Sequence, residues 1–190
     1  MRRLAITVVL IVAAIAAIAA VWYAQRPMIV ERPTIGGPPR PPAQHQNLVG
    51  RKVPSFAAAD MNRQPAGTSG ARGRVIVVDV WATWCAPCRE EMPRIENEIW
   101  RRFSNDVSIV AIADREGADK LHAFNAAARL TFPLIPDPHG TIAPHFGGHD
   151  AIPRIYVADR NGVIAYQQLG YGDESFRRVV AAVERAVAAR

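Results

Sequence analysis

The sequence predicts an α/β fold in which helices flank a central mixed sheet. Two apolar runs, residues 75–80 and 107–113, are rich in β-branched side chains and indicate buried strands. A helical pattern connects them, and a strand, helix, strand unit forms a right-handed crossover with parallel strands. Asn161-Gly162 separates two later β-type runs and is typical of a hairpin, which adds antiparallel strands.

The only two cysteines of the protein, Cys85 and Cys88, follow the first predicted strand. Ala86 and Pro87 suit a first helical turn, where a missing backbone N–H costs nothing, so Cys85 is expected where the strand gives way to the helix. Unpaired N–H groups and the helix dipole would lower its thiol pKa there and make it a nucleophile. Cys88 lies one turn later on the same face, so the pair is predicted to cycle between dithiol and disulfide.

The segment that begins at Trp81 reads Trp-Ala-Thr-Trp-Cys-Ala-Pro-Cys-Arg-Glu-Glu-Met-Pro and ends at Pro93. Its tryptophans, Cys-x-x-Cys and final proline resemble the active-site segment of the thioredoxin superfamily, in particular its membrane-anchored TlpA/ResA-like branch. The resemblance implies a thioredoxin fold with an N-terminal hairpin extension, and thiol–disulfide oxidoreductase activity. A structural disulfide or half of a zinc site is the alternative, but a closed zinc site needs four Cys or His ligands.

Asp79 lies in the middle of the first predicted strand, where an unpaired carboxylate is costly to bury. Burial would raise its pKa towards neutrality and suit it to accept a proton. By the period of two it shares a face with Val75, Val77 and Trp81. It also matches the buried aspartate of thioredoxins, which implies a base for Cys88, although many membrane-anchored relatives lack an acid there. A satisfied or water-bridged aspartate is the alternative.

Three further side chains are candidates for the site. The resemblance implies that Pro153 is a cis-proline that packs opposite the cysteines and offers backbone to an extended substrate. Glu91 coincides with an acid that some anchored relatives place near the active site, although an ordinary interaction with the helix dipole explains it as well. Trp84 is expected to form a lid over the disulfide, whereas Trp81 and Trp100 are expected to pack in the core.

The remaining pattern predicts how the sheet is completed. Pro93 should kink the first helix, and residues 119–130 should form a second helix. Residues 132–140 are punctuated by prolines and are predicted to be largely loop, followed by a short helix over residues 141–146. Asp173 is a plausible N-cap for a last helix. Its apolar positions recur at helical spacing and are Phe176, Val179, Val180, Val183 and Val187.

Residues 1–25 are predicted to be a membrane anchor. Residues 4–23 carry no charge and are long enough to span a bilayer as a helix. Arg2 and Arg3 should stay in the cytoplasm, while Trp22 and Tyr23 suit the far interface. A cleavable signal peptide is the alternative, because Ala-x-Ala patterns are present. Residues 26–47 are rich in proline and are predicted to form a semi-rigid tether. A proline-rich ligand for a partner protein is the alternative for this segment. Residues 48–190 are predicted to form the thioredoxin-like domain.

The charge distribution argues against nucleic-acid binding. The formal net charge is +6, but residues 1–43 hold five arginines and one glutamate and so carry +4, which leaves only +2 for residues 44–190. The five histidines are scattered, and a copper site of the Sco type would need Cys-x-x-x-Cys. The sequence therefore predicts no metal and no cofactor.

These observations predict an exported, membrane-tethered thiol–disulfide oxidoreductase on the extracytoplasmic side of the inner (cytoplasmic) membrane. It is expected to be a monomer that reduces disulfides of other exported proteins and is recharged by a membrane electron donor. The resemblance implies a role of the cytochrome c or copper-oxidase maturation type. Three alternatives stay open: a disulfide oxidase or isomerase on the same fold, a peroxiredoxin-type peroxidase, and a non-enzymatic tethered binding module.

Overall fold

The computed structural model describes residues 46–71, 73–148 and 151–189. Its central sheet is built from β3 (Val75–Trp81), β4 (Val107–Asp114), β5 (Leu134–Asp137), β6 (Arg154–Ala158) and β7 (Ile164–Leu169). The strand order is β5-β4-β3-β6-β7. Strands β3, β4 and β5 are parallel, whereas β6 is antiparallel to β3 and to β7. The predicted mixed sheet and the predicted β6–β7 hairpin are therefore confirmed.

Strand β3 occupies the centre of the sheet, and all seven of its residues are buried. This burial explains why its sequence is apolar without alternation, since both faces of the strand are covered. Its one acidic residue, Asp79, stands opposite Ala111 on β4 and Ile155 on β6. The carboxyl end of β3 leads directly to the two cysteines.

The sequence predicted a kink at Pro93, and the helix after β3 changes its winding just beyond this residue. It begins as α1 (Ala86–Arg94), continues as a π-helical segment (Ile95–Trp100) and ends in a last α-helical turn, α2 (Arg101–Phe103). A proline inside a helix lacks the N–H that would bond four residues back, so the regular ladder is interrupted there. The remaining helices are α3 (Ala118–Ala128) and α4 (Asp173–Ala188).

The two faces of the sheet are covered in different ways. Helices α1, α3 and α4 pack on one face through a core that includes Met92, Ile95, Leu121, Phe176 and Val179. The other face is covered by the N-terminal arm, through Leu48, Phe56 and Ala71, and by a 3-10 helix (Ala143–Phe146). On that side the Phe146 ring lies 6.1 Å from Phe56 and 5.7 Å from Tyr156, measured between centroids.

A small hairpin precedes the central sheet, as the resemblance implied. It pairs β1 (Ala58–Ala59) with β2 (Pro65–Ala66) in an antiparallel register. Its turn is fixed by Asp60, whose Oδ1 accepts the backbone N–H groups of Asn62 and Gln64, both at 2.8 Å. The Met61 N–H donates to the Leu134 carbonyl at 2.8 Å, which docks the hairpin against β5.

Two local predictions were wrong, and a third is confirmed with shorter bounds. The predicted loop over residues 132–140 contains β5, because an edge strand pairs on one side only and therefore tolerates proline. The predicted short helix is confirmed as a 3-10 helix over Ala143–Phe146. The last helix begins at Asp173, but its N-cap is Gly172, and the Asp173 carboxylate instead binds Arg94 at 3.0 Å.

The predicted membrane anchor, residues 1–25, and residues 26–45 of the predicted tether lie outside the described residues. Of the helices that can be described, none has both the length and the apolar character needed to cross a bilayer. The anchor therefore stays a prediction from the sequence.

Candidate active site

Cys85 and Cys88 are joined by a disulfide at the carboxyl end of β3. Cys85 is the N-cap of α1, and its Sγ accepts the Cys88 N–H at 3.2 Å, so the predicted handover from strand to helix is confirmed. Cys85 is 5% exposed, whereas Cys88 is fully buried. An incoming sulfur atom can therefore reach Cys85 more readily than Cys88, which suits Cys85 to attack and Cys88 to resolve.

A tight turn connects β3 to Cys85. The Cys85 N–H donates to the Ala82 carbonyl at 3.2 Å, and Thr83 and Trp84 occupy the two central positions. Trp84 is 69% exposed, so its indole stands largely in solvent beside the disulfide. Trp81 packs as predicted, with its ring 5.0 Å from that of Phe124 between centroids.

Two buried carboxyl groups lie on the same side of the sheet as Cys88. Asp79 has no exposed surface, and neither of its carboxylate oxygens has a hydrogen-bond partner among the residues that the structure describes. Glu91, one turn beyond Cys88 on α1, is 1% exposed, and within the described ranges its Oε2 also has no hydrogen-bond partner. Burial raises the pKa of both groups, and the negative charge of Asp79 raises the pKa of Glu91 further.

Arg154 is a buried arginine that the sequence analysis did not single out. It is the first residue of β6, it is 1% exposed, and its Nη2 donates to the Ala143 carbonyl at 3.5 Å. Its positive charge opposes the effect of burial on the pKa of Asp79, although burial is the larger influence. The signal that could have revealed it is a charged residue at the start of an otherwise apolar strand.

The predicted cis-proline is present at the same end of the sheet. The Ile152–Pro153 peptide bond is cis, and the Pro153 carbonyl accepts the Gly170 N–H at 2.9 Å. Arg154 pairs with Val80, and continuing this antiparallel register by one residue sets Pro153 beside Trp81, next to the turn that carries Cys85. The fold thus brings together two segments that are far apart in the sequence.

An open groove of about 830 Å³ runs beside the cysteines between α1 and α3. Thr83 and Ala86 line the end nearest Cys85, and Phe124 lines the wall that α3 contributes. Arg89, Glu90 and Lys120 add charges to the lining. Within the described part of the chain, no group of three or more His, Cys, Asp or Glu side chains could hold a metal ion.

Glu116 is a second buried group that the sequence analysis missed. It lies in the loop after β4, is 1% exposed, and accepts hydrogen bonds from the backbone N–H and the hydroxyl of Thr83. An acid just beyond the carboxyl end of a buried parallel strand, beside the strand that carries the cysteines, was the available signal.

Comparisons with known proteins agree with this geometry. A family model described as the AhpC/TSA family matches residues 49–167. The thioredoxin-like protein YneN of Bacillus subtilis is 30% identical over 118 residues, which cover 60% of this chain and 68% of YneN. The thiol-disulfide oxidoreductase ResA of Geobacillus thermodenitrificans is 30% identical over 119 residues, which cover 61% of this chain and 66% of ResA.

The fold also has counterparts among solved structures. A protein of Bacteroides thetaiotaomicron that is assigned as a protein disulfide isomerase superposes with a TM-score of 0.69 and 29% identity. The superposition covers 74% of this chain and 90% of that protein. The region matched by the family model contains every candidate side chain from Asp79 to Pro153.

Proposed function

We propose that this chain, which belongs to the AhpC/TSA family and is a thiol–disulfide oxidoreductase of the ResA-like thioredoxin type, reduces disulfides of other exported proteins. The proposal is supported above all by Asp79, a buried acid that has no hydrogen-bond partner in the described part of the chain and lies on the side of the sheet where Cys88 is buried. A base at this position assists the second thiol, and release of a reduced substrate depends on that thiol.

The reaction begins with the reduced protein. The Cys85 thiolate attacks one sulfur of a substrate disulfide, and a mixed disulfide forms as the substrate bond breaks. The other substrate sulfur leaves as a thiolate and takes up a proton from solvent. The Cys88 N–H, which points at the Cys85 Sγ, and the N-terminus of α1 both favour the attacking thiolate.

Cys88 then resolves the mixed disulfide. Its thiol gives a proton to Asp79, and the resulting thiolate attacks the Cys85 sulfur. The bond between Cys85 and the substrate breaks as the Cys85–Cys88 disulfide forms, so the substrate gains two electrons and the protein loses two. A thiol donor in the membrane, of the kind that the sequence analysis predicted, would restore the dithiol.

The other candidate residues have supporting roles in this proposal, either in binding the substrate or in setting the protonation of the site. Pro153 would offer its backbone to an extended substrate, and Trp84, exposed beside the disulfide, would contact it. Glu91 would act on the protonation of the site from its buried position near Asp79. A membrane-tethered monomer on the extracytoplasmic side would fit a role in cytochrome c or copper-oxidase maturation.

The reduction potential of the Cys85–Cys88 couple tests the proposed direction. The full-length protein is equilibrated with glutathione or dithiothreitol, and the reduced fraction is counted by thiol alkylation. We expect a value of about −270 mV, the potential of thioredoxin, because a reductant must hold electrons weakly. A value of about −180 mV indicates an isomerase and one of about −120 mV indicates an oxidase, and either contradicts the proposal.

A matched variant separates the enzyme from the two remaining alternatives. Cys88→Ser keeps the attacking thiol but cannot resolve the mixed disulfide, so it is expected to trap substrate and to lose turnover. Turnover of a disulfide substrate that survives this substitution would contradict the mechanism. Faster oxidation of the dithiol by hydrogen peroxide than by protein disulfides would instead favour the peroxidase.

A further inference from the structure

Glu116 ties the loop after β4 to the turn in front of Cys85. Its Oε2 accepts the Thr83 N–H at 2.6 Å, and its Oε1 accepts the Thr83 hydroxyl at 2.7 Å. Both carboxylate oxygens are thereby used on one residue, 33 positions earlier in the chain. Hydrogen bonds to a carboxylate are stronger than those between neutral groups, so this contact fixes the turn firmly.

The turn held by Glu116 is the one that positions the attacking sulfur. Thr83 is its second residue and Cys85 its last, since the Cys85 N–H closes it on the Ala82 carbonyl at 3.2 Å. A displacement of Thr83 therefore displaces Cys85 and the first turn of α1. The contact thus joins the loop after β4 to the turn that carries the nucleophile.

Glu116 also places a buried negative charge near Cys85. The hydrogen bond to Thr83 is 2.6 Å long, two residues span at most about 7 Å and the cysteine side chain adds about 3 Å, so the carboxylate lies within roughly 13 Å of the Cys85 sulfur. Because Glu116 is 1% exposed, water screens this charge only weakly. The charge disfavours the Cys85 thiolate, in opposition to the N-terminus of α1.

Among the described residues, Glu116 forms an ion pair with Lys120. Its Nζ lies 3.7 Å from Oε1, and its side chain is 64% exposed. Arg89 and Glu90 line the same groove as Thr83 and Lys120, but they carry opposite charges and offset each other. Lys120 therefore weakens the effect of Glu116 on Cys85 without cancelling it.

We propose that Glu116 is a positioning residue for Cys85 and that its charge, moderated by Lys120, holds the reduction potential of the Cys85–Cys88 couple low. The proposal rests on the proposed function only in that a low potential suits a reductant. A destabilised thiolate destabilises the dithiol state, so the couple gives up its electrons more readily.

Two substitutions with opposite expected effects test the role of the charge. Glu116→Gln can keep both hydrogen bonds, since its amide oxygen accepts the Thr83 N–H and its amide nitrogen donates to the hydroxyl, but it removes the charge. We expect the equilibrium constant with glutathione to shift about tenfold towards the dithiol, which raises the potential by about 30 mV. Lys120→Met leaves the carboxylate unbalanced and is expected to shift the constant about threefold the other way.

A third substitution separates position from charge. Thr83→Val removes one of the two hydrogen bonds and keeps the carboxylate, so we expect slower attack by Cys85, by about tenfold, with less than a twofold change in the equilibrium constant. The pH profile of Cys85 alkylation should move to lower pH in Glu116→Gln and stay in place in Thr83→Val.

Two outcomes would overturn the inference. One is an equilibrium constant that Glu116→Gln leaves unchanged, and the other is a shift in the same direction for Glu116→Gln and Lys120→Met. If Glu116→Gln does not fold, Lys120→Met still decides the matter, because its side chain is largely exposed. All comparisons are made between full-length variants and the parent protein. A high potential of the parent protein would contradict the proposed function alone, whereas the differences test Glu116.

Discussion

In the proposed mechanism, the protonation of two buried carboxyl groups, Asp79 and Glu91, would control when the second thiol can be activated. Burial raises the pKa of Asp79 to about 8, against the opposing charge of Arg154. Burial and the charge of Asp79 raise the pKa of Glu91, against the opposing charge of Arg94. At neutral pH both groups are therefore largely protonated, and the fraction of ionised Asp79 grows as the pH approaches 8.

Asp79→Asn is expected to slow resolution of the mixed disulfide. The step needs ionised Asp79, so its rate in the parent protein should rise with pH and level off above about 8. The substitution should lower the rate by about 100-fold at pH 7, and the remaining rate should keep rising above pH 8, because Cys88 then has to lose its proton to solvent. Acid-quenched single turnovers between pH 6 and 9 measure it, and a variant that retains both the rate and its pH profile would refute the role of Asp79.

Stability provides the control for that variant. The pKa of Asp79 is higher in the folded than in the unfolded protein, so the folded state binds more protons and loses stability as the pH rises from about 4 to about 8. Asp79→Asn removes this penalty, and we expect it to stabilise the protein by about 2 kcal/mol at pH 7 and by less near pH 4. Urea unfolding at both pH values measures the difference. If Asp79→Asn slows disulfide exchange and also stabilises the protein, a loss of folded protein cannot explain the slower exchange.

The long helix after β3 is held in place by its irregular middle. Glu96 lies in the π-helical segment and binds the Thr131 N–H at 2.8 Å, the Thr131 hydroxyl at 2.7 Å and Arg101 at 2.9 Å. Burial tends to raise the pKa of Glu96, but these hydrogen bonds outweigh it and hold the pKa below its ordinary value. The segment beyond Pro93 is thus anchored to the chain that leads into β5.

Glu96→Ala is expected to lower the free energy of unfolding by about 2 kcal/mol at pH 7, because it leaves the Thr131 N–H and hydroxyl without their acceptor. A carboxyl group with a lowered pKa stabilises the fold above its ordinary value of 4.5, and this contribution disappears as the pH falls through the folded pKa. The variant and the parent protein should therefore differ less in their free energies of unfolding, measured with urea, below about pH 4.

Glu98→Ala is the matched control on the same segment. Glu98 pairs with Arg94 at 2.6 Å, but its side chain is 37% exposed. Surface ion pairs contribute less than about 1 kcal/mol, so this substitution should have a small effect. If Glu96→Ala and Glu98→Ala lower the free energy of unfolding equally, the contacts with Thr131 do not anchor the π-helical segment.

The sequence predicts that the whole chain is organised as an anchor, a tether and one domain, and the described residues all belong to the predicted domain or to the last residues of the predicted tether. The candidate site residues of the domain are contributed by β3, α1, the loop after β4 and the start of β6, and they lie between residues 79 and 154. The predicted tether would hold this site at a distance from the membrane. A tethered reductant would meet exported partners and a membrane donor in turn.

The full-length protein is expected to sediment with membranes and to resist extraction with carbonate, because residues 4–23 can span a bilayer. After mild reduction of intact cells, a membrane-impermeant maleimide should label Cys85. Labelling only after lysis would contradict the predicted orientation. A protein that is soluble after export would instead support the cleaved signal peptide.

The sequence alone determined the elements whose pattern is local. The apolar run of β3, the cysteines at the start of α1, the break after Pro93 and the Asn161-Gly162 hairpin all follow from short-range chemistry. Asp79 was also visible, since a charge inside a buried strand is conspicuous. The local pattern failed at β5, where partners on β4 outweigh the prolines.

The tertiary structure decided which distant residues act on the cysteines. Glu116 meets Thr83, and Arg154 acts on Asp79, only because parallel and antiparallel neighbours bring their strand ends together. Glu91 looked like an ordinary acid of a helical turn until the packing of α1 buried it. Burial and long-range contact set the charge and position of each group, and neither is encoded in the spacing of residues along one segment.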